Sequence, residues 1–194
     1  MRLKKRELNT KYLLTKHTEL DRNHTAFVCI DLQEQLFDVV KNKKKIKKNA
    51  KILLNIAETL GVKSIVCEQY PKGLGNTIFK IPKNCERIEK ESFSAFCNES
   101  FVETLQKDLI NTLVLFGIES HICVRSSALD GIKNNFRVIV VYDATSSRDL
   151  QNHKLCIEEL RSKGVDILCT ETTLFSLLLH CKEKDFKTIL QAIK

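Results

Sequence analysis

Residues 112–131 read TLVLFGIESHICVRSSALDG, and the reading of the whole chain turns on them. The stretch opens on an apolar run, Leu113-Val114-Leu115-Phe116, closed by Gly117. A short apolar run bounded by glycine has the pattern of a buried parallel strand. Beyond it Val124, Ala128 and Ile132 recur at four-residue spacing with charged residues between them, which predicts a helix. The strand therefore passes into the helix between Gly117 and His121, with Cys123 at or just inside the helix start. A thiol there faces unpaired backbone N–H groups and the positive end of the helix dipole, and both favour thiolate. A small buried core cysteine fits the same position and is the commoner role, so position alone leaves both readings open.

The same strand-to-helix alternation runs outward in both directions. Ala26 to Leu32, AFVCIDL, is a strand-like run ending at Asp31. A carboxylate there stands where ligands bind in open α/β sheets, or else caps the next helix. Ile46, Ala50, Leu53, Ala57 and Leu60 keep helical spacing, Gly61 is placed to cap that helix, and Val62 to Glu68 is a second strand. Arg137 to Thr145 is a further strand, followed by a helix over Leu150 to Lys163 and a last strand over Val165 to Cys169. Leu174 to His180 and Phe186 to Ile193 are predicted as terminal helices. Such alternation calls for a parallel sheet with helices on both faces and right-handed crossovers. No G-x-G-x-x-G follows the first strand, so a dinucleotide site has no support. Without repeats or Pro/Gly-rich linkers, residues 1–194 are predicted to form one domain, with 1–24 as a basic lead-in.

Lys and Arg number 32 against 24 Asp and Glu, a formal charge of +8, so an anionic partner has to be weighed. Seven lysines fall within Lys41 to Lys51. Nucleic-acid patches interleave Arg or aromatics, which this run lacks, so the lysines read as the solvated face of a helix and nucleic acid is not the favoured partner. No apolar run approaches the roughly 18 residues that span a bilayer, so no membrane partner is expected. Eight cysteines occur with no C-x-x-C pair and no zinc-like spacing, and Cys29, Cys67 and Cys169 lie in apolar runs. That predicts reduced thiols in an intracellular, cytoplasmic setting. The opening segment MRLKKRELNTKYLLTKH lacks the apolar core of a secretory signal. It reads as a polar lead-in, with a mitochondrial presequence as the less favoured alternative.

GIESHICVRSSALD resembles the nucleophile segment of the isochorismatase-like cysteine hydrolases, which include nicotinamidases. Asp31-Leu32-Gln33 resembles the family's D-x-Q motif, and Lys90 with Phe93-Ser94 resembles its K-x-x-F-S segment. The resemblance covers about Thr25 to Lys194. It implies a three-layer α/β/α sandwich with a six-stranded parallel sheet in the order 3-2-1-4-5-6. It further implies catalytic roles for Asp31, Lys90 and Cys123, and an oxyanion hole from the backbone N–H groups of Glu119 and Cys123. A non-proline cis peptide would fall at Ile118–Glu119. The implied pocket residues are Gln33, Phe37, Tyr70, Phe93 and His121, the loop Asp143 to Arg148 would close the ligand end, and a homo-oligomer is expected. Nicotinamidases carry a D-x-H-x-x-H metal site where this chain has Glu68, Tyr70 and Leu74. EQYPKGLG instead resembles the metal-free isochorismatase domain-containing branch, so neither a metal nor another cofactor is expected.

The reaction implied by the resemblance is hydrolysis of a small-molecule amide through a thioester on Cys123, with Asp31 moving the proton and Lys90 holding Asp31 charged. Two other readings stay open: a phosphate- or nucleic-acid-binding protein on the same fold, motivated by the charge, and a scaffold with an idle site.

Overall fold

A computed structural model describes residues 19–194; the expectations for the basic lead-in before them lie outside the described residues. Six strands form one parallel sheet: β1 Thr25–Ile30, β2 Lys63–Gln69, β3 Glu86–Lys90, β4 Thr112–Gly117, β5 Arg137–Thr145 and β6 Asp166–Leu168. Their spatial order is 3-2-1-4-5-6, the arrangement the family resemblance implies. The main helices are α1 Lys43–Leu60, α2 Glu99–Lys107, α3 Arg125–Lys133, α4 Leu150–Ser162, α5 Thr170–Phe175 and α6 Phe186–Ile193.

The pleat sorts the strand residues into two apolar layers, because successive side chains point to opposite faces. Phe27, Cys29, Val66, Val114, Phe116, Ile139 and Val141 face α1, α5 and α6, where Leu53, Leu54, Leu174 and Ile189 meet them. Val28, Ile30, Ile65, Leu113, Leu115 and Val140 face α2, α3 and α4, where Phe101, Leu105, Ala128 and Leu160 fill the space. The lysines at 43–45, 48 and 51 lie on the exposed side of α1, while Ile46 and Ala50 are buried. Gly61 ends α1 in the left-handed region at φ 69°, its N–H bonded to the Ala57 carbonyl.

Four details differ from the sequence reading. β3 has one fully apolar residue among ERIEK, and its alternating pattern is that of an edge strand with one wet face, so no apolar run announced it. α2 was likewise unannounced; Asn98 caps it by accepting from Phe101 N–H. Cys169 is not a strand residue but the exposed N-cap of α5, its sulfur accepting from Thr172 N–H. The helix expected over Leu174 to His180 lies earlier, at Thr170–Phe175: Leu174, Leu177 and Leu178 are buried, but the chain leaves the helix at Ser176.

Candidate active site

The site lies at the carboxyl ends of the three central strands and β3. β1 ends at Ile30, and Asp31 follows at φ 51°, a left-handed conformation that Asp tolerates better than most residues. Asp31 N–H is held by the Cys67 carbonyl at 3.0 Å, which turns the carboxylate across the sheet end towards β2 and β3. Lys90 is the last residue of β3 and pairs in register with Gln69, the last residue of β2. Its Nζ donates to Asp31 Oδ2 at 2.8 Å, Ser92 O at 3.1 Å and Gln69 Oε1 at 3.2 Å. Three ammonium protons thus meet three acceptors, and both side chains of the Asp31–Lys90 pair are fully shielded from solvent.

β4 delivers the third group. Gly117 sits at φ 122°, and a Cβ there would run into the backbone carbonyl of Ile30, so the close approach of β4 to the end of β1 requires glycine. The Ile118–Glu119 peptide is cis, at the bond the resemblance singled out. Residues Ser120–Val124 then form a π-helical turn, in which Val124 N–H reaches back to the Glu119 carbonyl, before α3 begins. Such turns recur at functional sites. Cys123 lies within it at 5% exposure, with its thiol donating to Gln69 Oε1 at 3.1 Å. Ser127 Oγ accepts from Ala95 N–H and donates to the Cys123 carbonyl, tying the Cys123 turn to the loop that follows Lys90.

Burial raises the Asp31 carboxyl above the usual carboxylate range, opposed first by the Lys90 charge, then by the Lys90 hydrogen bond and the adjacent Cys123 thiol. The Cys123 thiol is pushed well up, first by burial and then by the Asp31 charge, with Lys90 pulling the other way. Burial and the Asp31 carboxylate thus oppose the thiolate that the helix start and Lys90 favour. Oδ1 of Asp31 is buried and has no hydrogen-bond partner among the described residues.

The remaining predicted residues divide. His121 is partly buried; its Nδ1 lies 2.9 Å from Ser147 Oγ and its Nε2 3.7 Å from Glu119 Oε2. Ser147 also bonds Ser120, and Ser120 N–H bonds Ser146 O, so the 143–148 loop does close over the 118–121 turn. The Tyr70 and Phe93 rings stand 53% and 59% exposed. Tyr70 and Lys90 line a cavity of about 320 Å³ together with Pro71, Lys72, Glu89, Glu91 and Asn98. Gln33 was expected in the pocket, but its amide is already spoken for. Its Oε1 accepts Gln69 N–H at 2.7 Å, and its Nε2 donates to Gln69 O and Gly75 O at 2.9 and 2.8 Å. Phe37 ends the single turn Glu34–Phe37 and packs on the α1 side of the sheet. A somewhat larger hollow, about 430 Å³, is lined by Arg22, Lys63 and Asp108 at the opposite ends of the strands and has no part in this cluster. Gln69, which touches both Lys90 and Cys123, went unread in the sequence; the only signal was its place directly after the apolar run of β2.

Chain residues 25–172 match the family model for the isochorismatase domain. The chain belongs to the isochorismatase family. Among its isochorismatase relatives, it is 33% identical to isochorismatase domain-containing protein 1 of Salmo salar over 88% of this chain, and it spans 61% of that protein's length. It is 32% identical to isochorismatase family protein 1A of Dictyostelium discoideum, over 84% of this chain and 82% of that one. The solved structure of MAR1 ribonuclease from Caenorhabditis elegans superposes with a TM-score of 0.85 at 29% identity, over 90% of this chain and 92% of that one. Within the isochorismatase fold, the corner where nicotinamidases hold a metal is filled here by an ion pair. Glu68, 1% exposed, accepts from Thr77 N–H and Oγ1 and from Arg87, so its carboxylate lies against a guanidinium. Among the described residues no group of three His, Cys, Asp or Glu is arranged to hold a metal ion, and no helix is long and apolar enough to cross a membrane.

Proposed function

We propose that this protein is a cysteine hydrolase that cleaves a small amide through a thioester on Cys123. The observation that carries the reading is the vacant Oδ1 of Asp31, held in a fully buried pair with Lys90 beside the Cys123 thiol. A buried oxygen without a partner is costly at rest, and it is a ready acceptor for a proton released on the same spot. Raising the Asp31 carboxyl brings it nearer neutrality, as a group that must take a proton and return it requires. Lys90 keeps a positive charge facing the developing thiolate. The backbone N–H groups of Glu119 and Cys123 are the proposed donors to the oxyanion. A high resting thiol suits a nucleophile that is deprotonated only as it attacks.

Intact-mass screening of the protein against small amides and acyl compounds tests this. An acyl adduct on the wild type that is lost in Cys123→Ala is expected. An adduct that persists in that variant, or none across a broad panel, would remove the reading.

One structural relative is described as a ribonuclease, which keeps RNA in view. One observation favours the small amide: the thiol is nearly closed off from solvent. RNA cleavage that disappears in Cys123→Ala would reverse this preference. A homo-oligomer belongs to the same proposal and is read by light scattering.

A further inference from the structure

Gln69 touches both Lys90 and Cys123, and its amide orientation is determined by its neighbours. Nε2 donates to the Glu91 carbonyl at 3.1 Å, while Oε1 accepts from the Lys90 ammonium and the Cys123 thiol. A flipped amide would set NH₂ against an ammonium and two carbonyl oxygens together, so only one orientation is consistent. The backbone of Gln69 is equally constrained, because Gln33 grips both its N–H and its carbonyl. An acceptor is thus built rigidly into the floor of the site, and its bond to the resting thiol ends when Cys123 gives up its proton.

We infer that Gln69 is a specificity-determining residue that selects substrates bearing an N–H on the leaving nitrogen, by exchanging its hydrogen bond from the Cys123 thiol to that N–H. The inference rests on the hydrolase reading above. In the step, the thiol proton passes to Oδ1 of Asp31 as the sulfur–carbon bond forms and the carbonyl π pair moves onto oxygen. When that pair returns, the carbon–nitrogen bond breaks and its electrons stay with nitrogen, which takes the proton from Asp31. The nitrogen's other hydrogen is the one Gln69 Oε1 accepts. Water then opens the thioester in the reverse sense, losing its proton to Asp31, which passes it to the departing sulfur. Primary and secondary amides satisfy Gln69. Esters and tertiary amides leave its oxygen with the Lys90 ammonium as a donor but without the second one it has at rest, and the loss of that hydrogen bond discriminates against them.

The reverse direction tests this without knowing the natural substrate. Wild type, Gln69→Met and Gln69→Glu are acetylated with p-nitrophenyl acetate, and the acetyl-Cys123 is confirmed by intact mass. The acetyl-enzyme is then partitioned between water and either methylamine or dimethylamine. Methylamine gives one hydrogen to Asp31 and keeps another for Gln69; dimethylamine has only the first. Wild type should prefer methylamine over dimethylamine by about tenfold beyond the preference of a free thioester, the worth of one net hydrogen bond. Gln69→Met, which keeps shape but has no acceptor, should lose that excess, and Gln69→Glu, which keeps the acceptor, should retain it. No excess in the wild type, or an unchanged excess in Gln69→Met, overturns the role of Gln69 while leaving the hydrolase reading standing. Failure of Cys123 to acetylate in the wild type with p-nitrophenyl acetate and also with p-nitroacetanilide, an activated amide that offers Gln69 its N–H, overturns the hydrolase reading itself.

Discussion

Replacing Lys90 by Met should cost the protein more stability the higher the pH. Lys90 and Asp31 are 2.8 Å apart with both side chains shielded from solvent. At an effective dielectric constant of about 20, charges at that distance attract by roughly 6 kcal/mol, an upper bound on what the change removes. Breaking a buried pair by deleting one partner typically costs about 3–5 kcal/mol, because the remaining charge is left uncompensated. Asp31 can avoid part of that cost by binding a proton. Its carboxyl is already raised by burial, and losing Lys90 removes the largest influence that lowers it. A carboxyl raised in the folded state binds protons more tightly there than in the unfolded chain. The folded state is therefore unpenalised below the unfolded carboxyl value of about 3.9, and loses stability as pH rises towards the folded value. Urea unfolding of Lys90→Met against wild type should show a difference near 1–2 kcal/mol at pH 5, from the donors lost to Ser92 O and Gln69 Oε1, growing to about 3–5 kcal/mol at pH 8. Adding Asp31→Asn should remove most of the pH dependence. Activity should fall by about 10²–10⁴, since an Asp31 that holds its own proton more tightly is less available to take the thiol proton. A stability difference that stays flat from pH 5 to pH 8 would refute the argument that Lys90 is there to hold a buried charge.

Brief iodoacetamide labelling should mark Cys97, Cys169 and Cys181 first, because these are exposed, and Cys123 only slowly; peptide mapping that finds Cys123 fastest at neutral pH would show the resting thiol is already ionised. Gly117→Ala should lower stability by at least about 3 kcal/mol in urea unfolding, through the collision with the Ile30 carbonyl and the positive φ, and wild-type stability in that variant would contradict the close approach. Arg87→Leu should cost about 2 kcal/mol, moderated because Thr77 still donates to Glu68 and because Arg87 is partly in water, and thermal unfolding would detect it. With Glu68 engaged by Arg87, activity towards any amide hydrolysed should survive prolonged chelation, and restoration by added zinc or manganese after chelation would contradict that.

The central strands were legible because burial on both faces leaves nothing but apolar residues in their sequence. β3 was not, since an edge strand buries one face and its Glu86, Arg87 and Glu89 look like loop residues. Asp31 and Cys123 could be located from their places at strand ends. Lys90 could not be separated from the other lysines except by the family motif, because nothing local distinguishes a lysine that will meet a carboxylate 59 positions earlier in the chain. Gln33 illustrates the opposite failure. Its motif suggested a ligand contact, and the fold uses it as a clamp on the Gln69 backbone. Helix position is visible in a sequence, whereas the burial that opposes the Cys123 thiolate, and the direction of the Asp31 carboxylate, depend on how four strands end relative to one another.

Among the described residues β3, which carries Lys90 at its last residue, pairs with one strand only and has no ladder on its other edge. It therefore belongs to the part of the sheet that opens most readily while β1 and β4 remain closed. An excursion of that kind would withdraw Lys90 and slacken Gln69, yet leave Asp31 and Cys123 on the intact centre. On the proposed mechanism the molecule would then keep Cys123 and Asp31 but lack the Lys90 cation, and would be inactive while still folded by most measures. In mild urea, the amide exchange of Arg87 to Lys90 and the loss of activity should therefore follow one curve. The unfolding of the sheet centre should follow another, at higher denaturant.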